Sequence, residues 1–468
     1  MQYRADLVLL VIAAAVAAAS PPTLVDHPIA SGQPPQYLDG STWSATNSLE
    51  PGAPPLRATV PGDILTDLAR AGRVPNPYYN VSWQTPGFIR AWNRGIWRYT
   101  TAFARPPSLP EDTGGSLLVV FDGIRMGATI ELNGVWLGNV TDQFLRYQFP
   151  VPGSQLRASN ELCVSFGAEL RVATGGRFTR SGQIDWAPES QTLDPTNVDR
   201  TTFGFGIWKS VYVVPLPAST AAIAQLGVQT FYAGGHPTSL LPDAGHAGFN
   251  VSITLDLLAT TDCNGTASVV GSWPGAVPHA QKVSLRMGTT SVTLRLSAEQ
   301  TRQVRLWQPN GHGEQVLYNV TASFASDVSG GALATTSRRI GFRHIALVTI
   351  DDTDAHDRAA AALTTGTGQR TMYFRVNGAA LYARGGNKIP MDLLEGRMTA
   401  VGHRRLVQSA AEAHFTMLRL WGGSIWEPRA FYDACDELGI LLCLLKLNMI
   451  PSWPLVSPEF QPCTCCDC

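Results

Sequence analysis

The chain has 468 residues with a formal net charge of −1, 44% hydrophobic residues and 15% charged residues. That length holds two to four domains of roughly 100–200 residues, and the apolar content excludes global disorder. No basic excess points to nucleic acid and no acidic excess points to cations.

Residues 1–19 read as a secretory signal peptide. Arg4 is the only early positive charge, Leu7 to Ala19 is an apolar run, and Ala17-x-Ala19 gives the small-x-small site that signal peptidase cuts after. A membrane anchor needs about 20 apolar residues, so the run is short for a span, and no membrane association is expected after cleavage. Five Asn-x-Ser/Thr sequons, at Asn80, Asn139, Asn250, Asn264 and Asn319, agree with export and glycosylation.

From Thr23 to Pro215 the chain reads as short strands. Ile96 to Phe103 alternates apolar and polar positions, and Leu117 to Asp122 is a short apolar run. Ala128 to Leu132 leads through Asn133-Gly134 into Val135 to Gly138, the signal of a hairpin whose turn needs positive φ. Glu161 to Phe166 and Lys209 to Val214 are further strands, and turns at this spacing predict a β-sandwich. Residues 222–348 form a second β-rich unit, with alternation over Asn250–Leu257, Ser291–Leu296 and Leu317–Ala322. Roughly seven strands there fit an immunoglobulin-like sandwich. Cys263 has no partner cysteine in that unit, which excludes a disulfide-pinned domain of the antibody type.

Residues 350–447 change character. A hairpin around Asn377-Gly378 precedes a helical stretch, Arg397 to His414, whose spacing marks Leu406, Ala410 and Ala413 as its apolar face. Phe415 to Trp421 reads as a buried strand, Pro428 to Leu438 as a helix closed by Gly439, and Ile440 to Leu447 as another strand. Strand, helix, strand in this order opens a β/α barrel. Residues 448–468 are expected to be an unstructured tail. Cys463, Cys465, Cys466 and Cys468 crowd its end without a separated ligand pair, so no metal site is expected. No motif implies an organic cofactor.

This order of units resembles glycoside hydrolase family 2: a jelly-roll sugar-binding-like sandwich, an immunoglobulin-like sandwich, then the first part of a (β/α)8 barrel. The fold class expected is thus mostly β and multidomain. Trp307-Gln308-Pro309-Asn310-Gly311-His312-Gly313 is similar to the family's sandwich motif, and Arg338 to Arg343 to its link into the barrel. Three further strings resemble the β-mannosidase branch: Ile184-Asp185-Trp186-Ala187-Pro188, Arg384-Gly385-Gly386-Asn387-Lys388-Ile389-Pro390 and Arg419-Leu420-Trp421-Gly422-Gly423. The resemblance implies substrate-binding roles for Asp185, Trp186, Asn387, Arg419 and Trp421. A carboxylate accepts sugar hydroxyls, an indole packs on a sugar ring, and Arg419 is expected to pair with a carboxylate below the sugar.

The resemblance also implies exo-hydrolysis of terminal β-D-mannose from N-glycan-derived oligosaccharides or glycoproteins with retention, in a lysosomal or secreted enzyme. β-Mannoside oligosaccharides are its expected partners. The family's acid/base and nucleophile are Glu residues on later barrel strands. Glu395, Glu412, Glu427, Glu437 and Glu459 lack their Asn-Glu context, and the likeness fades near Gly439-Ile440. The chain therefore reads as a truncated or frame-shifted product without its catalytic pair, inactive alone. Two other functions are a non-catalytic carbohydrate-binding protein and a related glycosidase such as a β-galactosidase. Ile389-Pro390 and the Asp185-Trp186 loop speak against the latter.

Overall fold

The computed structural model describes residues 28–79, 94–111, 114–125, 127–167, 205–328, 333–348, 372–392, 394–421 and 425–444. The signal-peptide segment, Asn80, Asp185, Trp186 and the cysteine-rich tail lie outside the described residues.

The first unit packs two antiparallel sheets face to face. One runs in the order Leu56–Val60, Gly40–Asn47, Trp97–Ala104, Ser159–Phe166, Ala128–Leu132, Val135–Val140. The other runs Gln36–Tyr37, Val211–Leu216, Ser116–Phe121, Tyr147–Pro152. Trp97–Ala104 shows the expected alternation of buried and outward residues, and its inward Trp97 and Tyr99 join Trp43, Phe121 and Phe166 in one core. Asn133 and Gly134 both have positive φ, 54° and 82°, as the tight hairpin requires. The Leu117–Phe121 run does not alternate because both its faces are covered. Leu118 and Val120, with Tyr212, Val214 and Leu216, pack outward against Ala222 and Leu258 of the next unit.

That second unit has seven described strands in two sheets. Ala221–Tyr232, Phe249–Ala259 and Gly288–Leu296 form one sheet. His279–Leu285, Cys263–Gly271, Tyr318–Ser326 and Leu333–Ile340 form the other. Ile253, Leu255, Trp273, Phe324 and Phe342 fill the space between them. Cys263 is buried there as a free thiol.

The third unit opens with a small antiparallel sheet, Ile345–Val348, Tyr373–Val376 and Ala379–Leu381. Asn377 and Gly378 turn its hairpin at φ 51° and 85°. Three parallel strands follow, Gly385–Lys388, Met417–Leu420 and Leu441–Leu444. Helices Ala400–Glu412 and Arg429–Leu438 connect them. Thr399 caps the first helix, accepting from the Gly402 amide at 3.0 Å. Gly439 ends the second in the left-handed conformation.

Two expectations are corrected here. The first helix starts at Ala400 rather than Arg397, which lies in a short 3₁₀ turn. Its buried face is His403, Val407 and Ala410, whereas Leu406 and Ala413 are exposed. Each residue turns the helix by about 100°, and the covering side chains Leu418, Leu420, Phe431 and Ala434 cluster with Val407. Among the described residues no helix is long and apolar enough to cross a membrane.

Side chains from the sandwiches fasten this parallel unit. Trp307 is buried, and its Nε1 donates to the Asp436 carbonyl at 2.7 Å. The Arg343 guanidinium lies over its ring at 4.5 Å. Asn310 Nδ2 donates to the carbonyls of Ala411 at 2.9 Å and Phe415 at 3.0 Å, and the Asn310 amide donates to Gly439 O at 2.8 Å. The Ala411 and Gly439 carbonyls lie at the C-terminal ends of the two helices, where in-helix donors run out, and Phe415 lies just beyond the first. A Cβ on Gly439 would come within 2.4 Å of Asn310 N, so the glycine serves the close approach as well as the turn.

The first sandwich contributes Asp63, which caps its own helix Ile64–Arg70 through the Thr66 amide at 2.8 Å and accepts from the Gly396 amide at 2.7 Å. Arg125 forms a buried ion pair with Glu395 nearby.

Asn310→Ala removes both side-chain donors from the helix ends. We expect a loss of about 1–3 kcal/mol, seen as a lower urea midpoint and earlier proteolytic cutting after residue 372. A variant as stable and as resistant as the parent would show that the loop does not hold the helices.

Candidate sugar-binding site at the parallel strand ends

The side-chain alternation of a strand sets what the parallel unit offers on each face. Leu418 and Leu420 point to the helices and are buried among them, so Arg419 points the other way. Asn387 is the in-register neighbour of Arg419. Arg419 Nη1 donates to Asn387 Oδ1 at 2.8 Å. Asn387 is exposed and Arg419 half-buried. The expected carboxylate partner of Arg419 is absent among the described residues, and the Asn387 amide oxygen takes that place. Trp421 follows one residue beyond the strand end, half-buried, with its amide donating to Lys388 O at 3.1 Å. The structure thus brings three of the five expected residues, Asn387, Arg419 and Trp421, to the C-terminal ends of two adjacent strands. Barrel folds carry their chemistry at those ends.

Behind this face the charge is hidden. Lys388 turns away from Asn387 and is buried, with Nζ ion-paired to buried Glu427 and lying 4.9 Å from the Phe431 ring centre. His403 Nδ1 lies 3.5 Å from Glu427 Oε2. Burial lowers the Lys388 pKa, and the Glu427 charge opposes that shift. Burial, reinforced by Lys388 and Lys209, lowers His403 to about 3, so its ring is neutral at physiological pH. Trp208, Lys209, Met398, His403, Ile425 and Pro428 line a small cavity where the first sandwich meets this cluster.

Neither Glu395 nor Glu427 is a free carboxylate: each is buried and committed to a cation, Arg125 or Lys388. Burial takes the Arg125 guanidinium down to about 10, with Asp63 opposing the shift. Glu412 accepts from Gln408 at 2.9 Å on the exposed face of its helix, and Glu437 pairs with Arg404 and Arg339. Sequence reasoning did not find the Lys388–Glu427 and Arg125–Glu395 pairs. Each is a single charge in an ordinary context, and only the packing of distant segments joins them. Among the described residues no group of three His, Cys, Asp or Glu side chains is placed to hold a metal ion. The described sequon residues Asn139, Asn250, Asn264 and Asn319 are all exposed.

Removing one partner of a buried pair leaves an uncompensated charge. Lys388→Met is expected to cost about 3–5 kcal/mol, and adding Glu427→Leu to recover most of it in urea unfolding. A double variant no more stable than Lys388→Met would contradict the pairing.

His403 supplies a pH dependence. The unfolded chain protonates this ring near 6.5 and the folded chain only near 3, so its contribution is present above about pH 6.5 and is lost as pH falls towards 3. Asp39 and Asp67, both raised by burial to about 6, act in the opposite direction. The clean readout is therefore the stability difference between the parent and His403→Leu, which should move in favour of the variant between pH 7 and 4. A difference constant over that range would rule out a buried neutral ring.

Residues 43–194 match the family model described as glycosyl hydrolase 2 galactose-binding domain-like. The β-mannosidase of Rattus norvegicus is 28% identical over 433 residues, covering 87% of this chain and 44% of that protein. The crystal structure of β-D-mannosidase from Dictyoglomus thermophilum superposes with a TM-score of 0.67 at 24% identity, over 88% of this chain and 47% of the other. The exo-chitosanase CsxA of Amycolatopsis orientalis superposes with a TM-score of 0.62 at 19% identity, over 88% of this chain and 43% of the other, a likeness of fold. The chain spans less than half the length of these relatives. Over most of its length the chain is thus similar to β-mannosidases, and the stretch that matches the glycosyl hydrolase 2 galactose-binding domain-like model begins in its first sandwich.

Proposed function

We propose that this chain forms the sugar-recognising part of an exo-acting, retaining β-mannosidase. Its substrates are terminal β-linked mannose residues of N-glycan-derived oligosaccharides or glycoproteins, and its route is the secretory pathway, to the lysosome or the exterior. The observation that carries the reading is the Arg419–Asn387 bond at the strand ends, beside Trp421. With Oδ1 held by the guanidinium, Asn387 keeps its Nδ2 donors for a sugar hydroxyl. The Trp421 indole offers an apolar face to a sugar ring. Asp185 and Trp186 supply a further acceptor and a second face on this reading.

Retaining hydrolysis needs two carboxyl groups about 5–5.5 Å apart, one as acid/base and one as nucleophile. Glu395 and Glu427 are paired with buried cations, and Glu412 and Glu437 lie on helices. None of these four is assigned a catalytic role, and the catalytic Glu pair lies outside the described residues on this reading.

The test compares the chain as given with a chimera joined at Gly439 to a complete β-mannosidase barrel, both assayed on aryl β-mannoside and aryl β-galactoside. The chain alone is expected to be inactive and the chimera to prefer the mannoside. Asn387→Ala in the chimera should lower kcat/KM by about two- to tenfold, the worth of one hydrogen bond of ~0.5–1.5 kcal/mol. Turnover by the chain alone would return Glu395 or Glu427 to the catalytic role. Galactoside preference would remove the specificity given to Asp185, Trp186 and the Asn387 string.

A further inference from the structure

We infer that Asn139 carries an N-linked glycan whose first sugar is seated on the indole face of Trp136. The inference rests on the export reading above, and it concerns an exposed face of the first sandwich, not the strand ends of the sugar site.

Trp136 and Asn139 share the strand Val135–Val140, at the edge of the six-stranded sheet. In a regular strand, residues three apart point to opposite faces. Here the register shifts: Thr129 pairs with Asn139 and Ile130 with Gly138, but Glu131 pairs with Trp136, leaving Leu137 as an extra residue. The bulge reverses the parity of the strand, so Trp136 and Asn139 emerge on the same side. That side is the outer one, because Ala128, Ile130 and Leu132 of the neighbouring strand face the core.

The two side chains meet there. Trp136 Nε1 donates to Asn139 Oδ1 at 3.2 Å, and Thr129 Oγ1 donates to the same oxygen at 3.4 Å. With its oxygen engaged by two donors, the amide presents Nδ2 on its free side. Trp136 remains 61% exposed, while every other described tryptophan is buried or half-buried. A large apolar ring left in water next to a sequon amide is matched by the C–H face of a sugar. Asn250, Asn264 and Asn319 are exposed as well, but among the described residues no aromatic side chain hydrogen-bonds to their amides.

The modification draws on the lipid-linked oligosaccharide diphosphate of the export pathway. The bond from sugar C1 to the diphosphate oxygen breaks, the Nδ2–C1 bond forms, and one Nδ2 proton is released as the lipid diphosphate leaves. Oδ1 takes no part, so its two hydrogen bonds persist in the product.

The full chain, expressed in a glycosylating secretory host, is mapped by glycopeptide mass spectrometry. Asn139 is expected to be occupied. Thermal unfolding is then compared in four proteins: the parent, Thr141→Ala, Trp136→Ala and the double variant. Thr141 is exposed, and its loss abolishes the sequon while leaving Asn139 in place. In the Trp136 background, Thr141→Ala should lower the melting temperature by about 2–4 °C; in the Trp136→Ala background it should change nothing. A bare Asn139 with Asn250, Asn264 or Asn319 occupied overturns the inference and leaves the export reading standing. All sequons bare overturns both. An occupied Asn139 with equal shifts in the two backgrounds overturns the role of Trp136.

Discussion

The two helices of the parallel unit end where the chain must reverse into the next strand, and their last carbonyls, outside the regular helical ladder, can take donors besides local amides such as that of His414 on Ala411 O at 2.9 Å. The loop Trp307–Gly313 of the preceding sandwich supplies those donors. Asn310 serves Ala411 and Phe415 with its side chain and Gly439 with its backbone, and Trp307 serves Asp436. The loop is itself fixed, by Arg343 over the Trp307 ring and by Asn377 Nδ2 donating to Trp307 O at 2.9 Å. A run of three parallel strands and two helices has open edges and little core of its own. Its placement therefore depends on this polar clamp and on the apolar cluster of Trp307, Met417 and Leu441 beneath the strands.

The clamp lies where the helices run into the strands, and the candidate sugar site lies at the opposite, C-terminal strand ends. Barrel folds divide labour in this way, with stability at one end of the strands and chemistry at the other. Position along a strand then separates recognition from support residue by residue. Asn387 faces out and bonds Arg419, while the next residue, Lys388, faces in and pairs with Glu427. The Lys388 backbone carbonyl also holds the Trp421 amide. One buried cation therefore stands between two residues of the candidate site. Buried ion pairs add little net stability against apolar replacements, but they tolerate few alternative geometries, which suits a surface that must present fixed donors.

The first sandwich is joined on two sides. Its four-stranded sheet is covered outside by Ala222 and Leu258 of the second unit. Asp63, Arg125 and Trp208 reach the segment between Gly385–Lys388 and the first helix and the loop before the second. In sequence, Asp185 and Trp186 lie between Ser159–Phe166 and Val211–Leu216, two strands of this sandwich, and the described contacts fasten that sandwich next to the candidate strand ends.

Much of the fold was legible in the sequence, because the signals were local. Alternation marked Trp97–Ala104 and Phe249–Ala259, Asn-Gly pairs marked both positive-φ hairpins, and Pro428 with Gly439 bounded the last helix. The strings holding Asn387, Arg419 and Trp421 were legible too, since strand ends are short contiguous segments. What escaped was set by contacts between distant segments. The helix face turned from Leu406 to His403, Val407 and Ala410 because Leu418, Leu420 and Phe431 chose which side to cover. Arg419 found an amide where a carboxylate was expected because Asn387 is its in-register neighbour. Glu395 and Glu427, plain acidic residues in the sequence, became buried ion partners through Arg125 of another domain and Lys388 of another strand. Backbone propensity and periodicity act within a few residues, so the sequence alone determined the elements and their order. Burial and charge pairing act across whole domains, so only the tertiary structure decided which polar side chains are exposed at the strand ends and which are locked in the interior.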